Sequence, residues 1–177
     1  MVRTTSDPME TAFTVSVDLR GKGVSTGISA VDRAKTIKAL VNKKTKVNDF
    51  TKPGHVFPLI AKEGGVLRRT GHTEAAIDLP RLAGLKPAGV IVEIMNEDGT
   101  MAKGQNLLNF AKKHKLKIGK IEDLISYRLK KEKLIRLKKT SDIKVKNQKF
   151  KIKIYENLLD GSEHFALIKG TIKRSVI

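Results

Sequence analysis

The stretch Ala88–Met95, AGVIVEIM, constrains the fold more than any other part of the chain. It is nearly continuous in apolar β-formers, broken by one charge at Glu93, and the turn signal Asn96-Glu97-Asp98-Gly99 follows directly. Such a run describes a central strand, which buries side chains on both faces. A carboxylate inside it is costly to bury unless paired, and burial favours the protonated form, which suits a proton-transfer group. The structural alternative keeps Glu93 on a solvent-facing side, or near the strand's end with a partner.

Helices and shorter strands are predicted around that run. Thr11–Asp18 (TAFTVSVD) alternates apolar and polar residues, as a half-buried strand does. After a loop punctuated by Gly21, Gly23 and Gly27, Ser29 can cap a helix with Asp32 in its first turn. Ala30, Ala34, Ile37 and Val41 recur at helical spacing and predict the face laid on the core. Lys52-Pro53-Gly54-His55 reads as a turn, and Val56–Ile60 as a short extended run. Asp78 is the expected N-cap of a short helix, because Pro80 then falls in a first turn that tolerates it. Leu107, Leu108 and Ala111 mark a helix ending near His114, and Ile121–Leu137 a further, basic one. After Thr140 the pattern turns to strands, with a hairpin turn at Asn147-Gln148 and another turn at Asp160-Gly161.

The net charge of +18 is unevenly spread. Residues 1–102 carry 15 basic and 11 acidic groups, while residues 103–154 carry 18 and 4. Lysine outnumbers arginine 27 to 9, and arginine is the better residue for bidentate recognition of bases and phosphates. Aromatic residues make up 5% of the chain, which offers few stacking platforms. These counts argue against a specific nucleic-acid reader, although residues 103–154 keep a basic binding module among the alternatives. With no cysteine, disulfides and Cys-ligated metals are excluded. No apolar run approaches the roughly 20 residues that span a bilayer, and the first residues lack a secretory signal, so a cytoplasmic location without membrane attachment is expected.

The residues with chemistry lie outside the basic segment. In Arg69-Thr70-Gly71-His72-Thr73-Glu74, a guanidinium, backbone amides beside a glycine, two hydroxyls and an imidazole can converge on one anion. The His72 imidazole could equally ligate a metal, but a divalent-ion site would need carboxylates as well. The bland reading of Arg68 and Arg69 is a surface ion pair of little energetic weight. His55 follows a Pro-Gly turn, where a histidine is either functional or simply solvated. His114 and His164 have no comparable company. The chain contains no P-loop, dinucleotide fingerprint, zinc-spaced histidine pair or nucleophile elbow.

Taken in order, TAFTVSVD (11–18), GISAVDRA (27–34), PGHVFPL (53–59), GGVLRR (64–69), GHTEA (71–75), DLPRLAG (78–84), PAGVI (87–91) and NEDGTMA (96–102) closely resemble 3,4-dihydroxy-2-butanone 4-phosphate synthase. IEDLISYR (121–128) is similar to that domain's closing helix. The resemblance implies an α/β fold, a mixed sheet with helices on its faces, in a homodimeric lyase of riboflavin biosynthesis. It implies magnesium or manganese as cofactor, with no zinc, and ribulose 5-phosphate as the substrate converted to formate and a four-carbon phosphate. By position, His55 and Glu93 resemble the acid–base pair. Arg69, Thr70, Gly71, His72 and Thr73, together with Glu93, resemble the substrate contacts, and His72 a metal ligand.

The match is not complete. The family's acidic loop, which carries another metal ligand, corresponds to nothing after Met1, so the fold is expected to be truncated at its N-terminus and its activity lowered or lost. Glu10 stands where the family has glycine, and Lys52 where it has arginine. Tyr155–Gly170 resembles the opening strands of GTP cyclohydrolase II without that domain's zinc-binding cysteines. The expected division is therefore a partial synthase domain over 1–138 and a short β-rich extension over 139–177. A non-catalytic paralogue that binds a phosphorylated ligand or a complete subunit is the alternative.

Overall fold

The computed structural model describes residues 11–171. They group into two units that divide between Ile121 and Glu122. The α/β class is borne out, with four helices and seven strands among the described residues.

In the first unit the expected strand over Thr11–Asp18 is interrupted. It forms β1, Ala12–Phe13, and β2, Val17–Leu19. β2 pairs antiparallel with β3, Phe50–Val56, and β1 pairs with β4, Leu59–Ile60. Pro58 lies between the two partners and has no N–H to offer a ladder. Its carbonyl instead accepts the Thr14 N–H at 3.0 Å and the Thr14 hydroxyl at 2.8 Å.

Helix α1 spans Ala30–Leu40, and the Ser29 hydroxyl caps it by accepting the Asp32 N–H at 3.1 Å. A cap of this kind is worth about 1 kcal/mol. The buried face is not the one that apolar spacing predicts. Asp32 and Thr36, one turn apart, are buried, whereas Ala30, Ala34 and Val41 are exposed and Ile37 is half-buried. Hydrogen bonding decides the orientation: the Leu19 N–H donates to Thr36 Oγ1 at 3.0 Å, and Asp32 accepts from the Ser25–Gly27 loop.

Helix α2 runs from His72 to Leu82, with Gly71 at its N-cap. The expected start at Asp78 is wrong, because the Asp78 carboxylate is engaged elsewhere. It accepts the Val66 N–H at 2.8 Å from a 3-10 turn at Gly65–Leu67. Pro80 thus sits inside the helix, near its end, where only the bond to the Ala76 carbonyl is forfeited. Helix α3, Gln105–Lys113, ends at His114, whose ring lies 4.4 Å from that of Phe110.

Ala88–Met95 is not a strand. Only Met95 forms a bridge, to Met101, and the Ala102 N–H donates to the Ile94 carbonyl. Val92 is 85% exposed, and Glu93 is exposed with it. Apolar composition sets what a segment is able to bury, but a strand also needs a neighbour for its backbone. Among the described residues only Met101 and Ala102 pair with it, at its last two residues.

The second unit opens with helix α4, Ile121–Lys131, which stops six residues short of the predicted Leu137. The chain has already turned into β5, Ile135–Val145, paired antiparallel with β6, Gln148–Asn157, which also pairs with β7, Glu163–Ile168. The hairpin turn falls at Lys146-Asn147, one residue before the expected place. Both have positive φ, 43° and 64°, as a two-residue type I′ hairpin requires. Among the described residues no helix is long and apolar enough to cross a membrane.

Candidate functional site

Two clusters of buried polar groups organise the first unit, and each holds one of the predicted histidines. The first is centred on Asp18, in the middle of the fully buried β2. Asp18 Oδ1 accepts the His55 N–H at 3.0 Å, and Oδ2 lies 2.7 Å from His55 Nδ1. The two side chains are 10% and 39% exposed, so the carboxylate is enclosed while the imidazole reaches the surface. Arg33 Nη1 donates to the His55 carbonyl at 2.8 Å, fixing the same residue from α1. Gly27 closes the other side. Its φ is +86°, and a Cβ there would lie 2.3 Å from Asp18 Oδ2. With Nδ1–H donating to the carboxylate, Nε2 is the nitrogen left to exchange a proton.

Asp32 supports this arrangement from behind. Oδ2 accepts the Ser25 hydroxyl at 2.8 Å and the Gly27 N–H at 3.1 Å. The Ser25 hydroxyl, with the Gly27 and Ser25 N–H groups, holds the Asp32 carboxyl below its ordinary value of 3.8, against the opposing effect of burial.

The second cluster forms the N-terminus of α2. Glu74 is buried, and its carboxylate accepts Arg69 Nη1–H at 2.6 Å and the Lys62 N–H at 3.0 Å. Arg69 Nη2 donates to Thr11 Oγ1 at 3.2 Å. The guanidinium is thus largely enclosed, and a Cβ at Gly71 would lie 2.1 Å from Arg69 Nη1 and 2.6 Å from Glu74 Oε2, so a larger residue there would have to displace the pair. No side chain caps α2. Its first N–H groups are therefore suited to an anion, with Thr70, His72 and Thr73 beside them.

Sequence reasoning brought Arg69, Thr70, Gly71, His72 and Thr73 to one place, and there the structure has them, with Thr70 and His72 exposed. Arg69 is neither an outward donor nor a surface ion pair, but one half of a buried pair. Glu93 lies on the exposed 88–94 segment, and no hydrogen bond or ion pair joins it to His55 or His72 among the described residues. Asp18 and Glu74 were missed as site residues. The available signal was position: Asp18 ends an alternating strand, and Glu74 falls one turn into a helix that begins on a glycine.

His72 supplies a single nitrogen. A magnesium ion prefers near-octahedral oxygen ligands, and among the described residues no group of three or more His, Asp or Glu side chains could hold a metal. The described residues do not by themselves fit such an ion.

Comparison with known proteins gives a consistent result. A family model described as 3,4-dihydroxy-2-butanone 4-phosphate synthase matches residues 1–127. The chain is 52% identical over 171 residues to the riboflavin biosynthesis protein RibBA of Synechocystis sp., covering 96% of this chain and 31% of that protein. Among solved structures, it is similar to RibBX of A. baumannii, a two-domain synthase of that kind (TM-score 0.81, 45% identity, 96% of this chain and 50% of that one). It is also similar to a synthase in complex with two magnesium ions (TM-score 0.65, 39% identity, 74% of this chain and 66% of that one). The chain therefore spans about a third of the curated relative and half of the two-domain structure.

Proposed function

Because the chain belongs to the 3,4-dihydroxy-2-butanone 4-phosphate synthase family, we propose that it serves riboflavin biosynthesis by converting D-ribulose 5-phosphate to 3,4-dihydroxy-2-butanone 4-phosphate and formate. The observation that carries this reading is the Asp18–His55 pair. The conversion requires protons to leave and return to carbon and oxygen, and an imidazole oriented by a buried carboxylate is built for such transfers. In this reading His55 Nε2 is one proton carrier and Glu93 the other. The N-terminus of α2, with Thr70, Gly71, His72 and Thr73, takes the phosphate or neighbouring oxygens, and Arg69 shapes that loop from beneath.

The same proposal assigns a magnesium or manganese ion to the working enzyme, with His72 as one ligand and the others from outside the described residues. It also assigns a homodimer in the cytoplasm, residues 1–138 as the synthase part, and residues 139–177 as the start of a cyclohydrolase-like domain. The experiment is formate release from ribulose 5-phosphate with magnesium, on protein shown to be folded by circular dichroism. Formate that appears and is lost with chelator supports the proposal, and its absence removes the catalytic reading.

A second reading is favoured by the exposure of Glu93 and by the lack, among the described residues, of three or more His, Asp or Glu side chains grouped to hold a metal. In it the chain binds a phosphorylated ligand or a complete subunit without turnover. Calorimetric binding of ribulose 5-phosphate with no formate released distinguishes it.

A further inference from the structure

His55 sits in a part of β3 that its ladder does not hold. The register with β2 jumps from Thr51 opposite Asp18 to Val56 opposite Val17, so residues 52–55 have no partner across the sheet. Side chains hold them instead. The Gly54 N–H donates to Ser16 Oγ at 3.1 Å and the His55 N–H to Asp18 Oδ1 at 3.0 Å, while the His55 carbonyl accepts Arg33 Nη1–H at 2.8 Å. The same guanidinium donates through Nε to the Ile28 carbonyl at 3.0 Å. Ile28 follows Gly27, the glycine that bears on the Asp18 carboxylate. Arg33 therefore joins His55 to the loop that packs against its own carboxylate partner.

Among the described residues no carboxylate pairs with Arg33, and both of its hydrogen bonds go to main-chain carbonyls. A planar fork of donors holds two carbonyls in a fixed geometry, which the single ammonium of a lysine does not. We propose that Arg33 is a positioning residue, which sets where the His55 imidazole stands for proton transfer by clamping the carbonyls of His55 and Ile28 together. Its effect on turnover rests on the synthase reading, whereas the clamp itself does not. The two side chains that hold His55 then divide the work: Asp18 sets the tautomer, and Arg33 sets the place of the ring.

The test uses the full chain and begins with Arg33→Lys, which keeps the charge and the aliphatic stem but loses the fork. With ribulose 5-phosphate, kcat is expected to fall about tenfold and KM to stay within about twofold, since a misplacement of about 1 Å can cost about 10²-fold. In Arg33→Ala the loss approaches that figure. Guanidinium chloride at about 10 mM, far below denaturing molarities, restores activity about fivefold or more, and ammonium chloride does not. Amide exchange and nitrogen NMR read the clamp without turnover. In Arg33→Lys the His55 amide should exchange about tenfold faster or more, with the Nδ1–H tautomer retained. Lys38→Ala, at an exposed position of α1, is the control and leaves both unchanged. A wild-type chain that releases no formate removes the synthase reading and leaves the exchange measurement to decide this one. The proposal is overturned by unchanged His55 exchange in Arg33→Lys, by an equal effect in Lys38→Ala, or by a switched tautomer. A KM that rises while kcat holds would overturn it too, and make Arg33 a substrate contact.

Discussion

Asp18 holds both the ring and the main chain of His55, with Oδ2 at 2.7 Å from Nδ1 and Oδ1 accepting the N–H at 3.0 Å. One carboxylate therefore sets the imidazole's position and its tautomer. Asp18→Asn keeps the size but can turn its amide toward Nδ1 and favour the other tautomer. Turnover of ribulose 5-phosphate is expected to fall about 10²-fold with KM little changed. Nitrogen NMR of His55 reads the tautomer directly and applies whether or not the chain turns over substrate. An unchanged His55 spectrum would contradict the assignment.

Gly27→Ala tests the same contact from the opposite side. The new methyl would meet Asp18 Oδ2 at a position with φ of +86°. A loss of about 1–3 kcal/mol is expected in urea unfolding, accompanied by a change in the His55 resonances. Gly21→Ala, also at positive φ but with nothing within 4 Å, is the comparison, and it should leave His55 undisturbed.

Glu74→Ala leaves the half-buried Arg69 guanidinium without its carboxylate. Breaking one partner of a buried pair costs about 3–5 kcal/mol, so a large drop in the urea midpoint is expected. Arg69→Met combined with Glu74→Leu removes both charges and should recover most of that loss. A double variant no more stable than Glu74→Ala alone would show that the pair is not what holds this corner.

Acid should open the Ser25–Ser29 loop late. The Asp32 carboxyl is depressed, chiefly by the Ser25 hydroxyl, from an ordinary 3.8. Its stabilisation is therefore complete above that value and is lost as pH falls through the lower, folded-state value. Amide-exchange protection at Ser25 and Gly27 is expected to hold from neutral pH to about 5 and to collapse only below 3.8. In Asp32→Asn this pH dependence disappears.

Much of this was legible in the sequence where a local rule acted alone. Ser29 capped α1 as its residue type and position required, and a two-residue hairpin turn formed within one residue of the predicted place. The rules failed where distant partners decided the outcome. The apolar face of α1 lost to Asp32 and Thr36 because β2 and the preceding loop needed hydrogen-bond partners. Asp78 was read as a cap, but its carboxylate serves a 3-10 turn 12 residues away. The run at Ala88–Met95 had the composition of a strand, but among the described residues it pairs only at Ile94 and Met95. For the site, glycines and histidines identified the two clusters, whereas Asp18 and Glu74 emerge only once sheet pairing and helix register bring them to His55 and Arg69.

The Glu74 corner also has a kinetic meaning. Its carboxylate holds the main chain of Lys62 and the guanidinium of Arg69, and the Arg69–Thr11 bond reaches 58 residues along the sequence. Contacts that close long loops form only after much chain entropy has been lost. The bonds of Glu74 to Arg69 and Lys62 span only 5 and 12 residues, so the Arg69–Thr11 bond is the one expected to form late, and weakening it should leave the folding rate nearly unchanged while the native protein opens faster. The residue that shapes the anion-binding end of α2 would in this way also set how long the first unit stays closed.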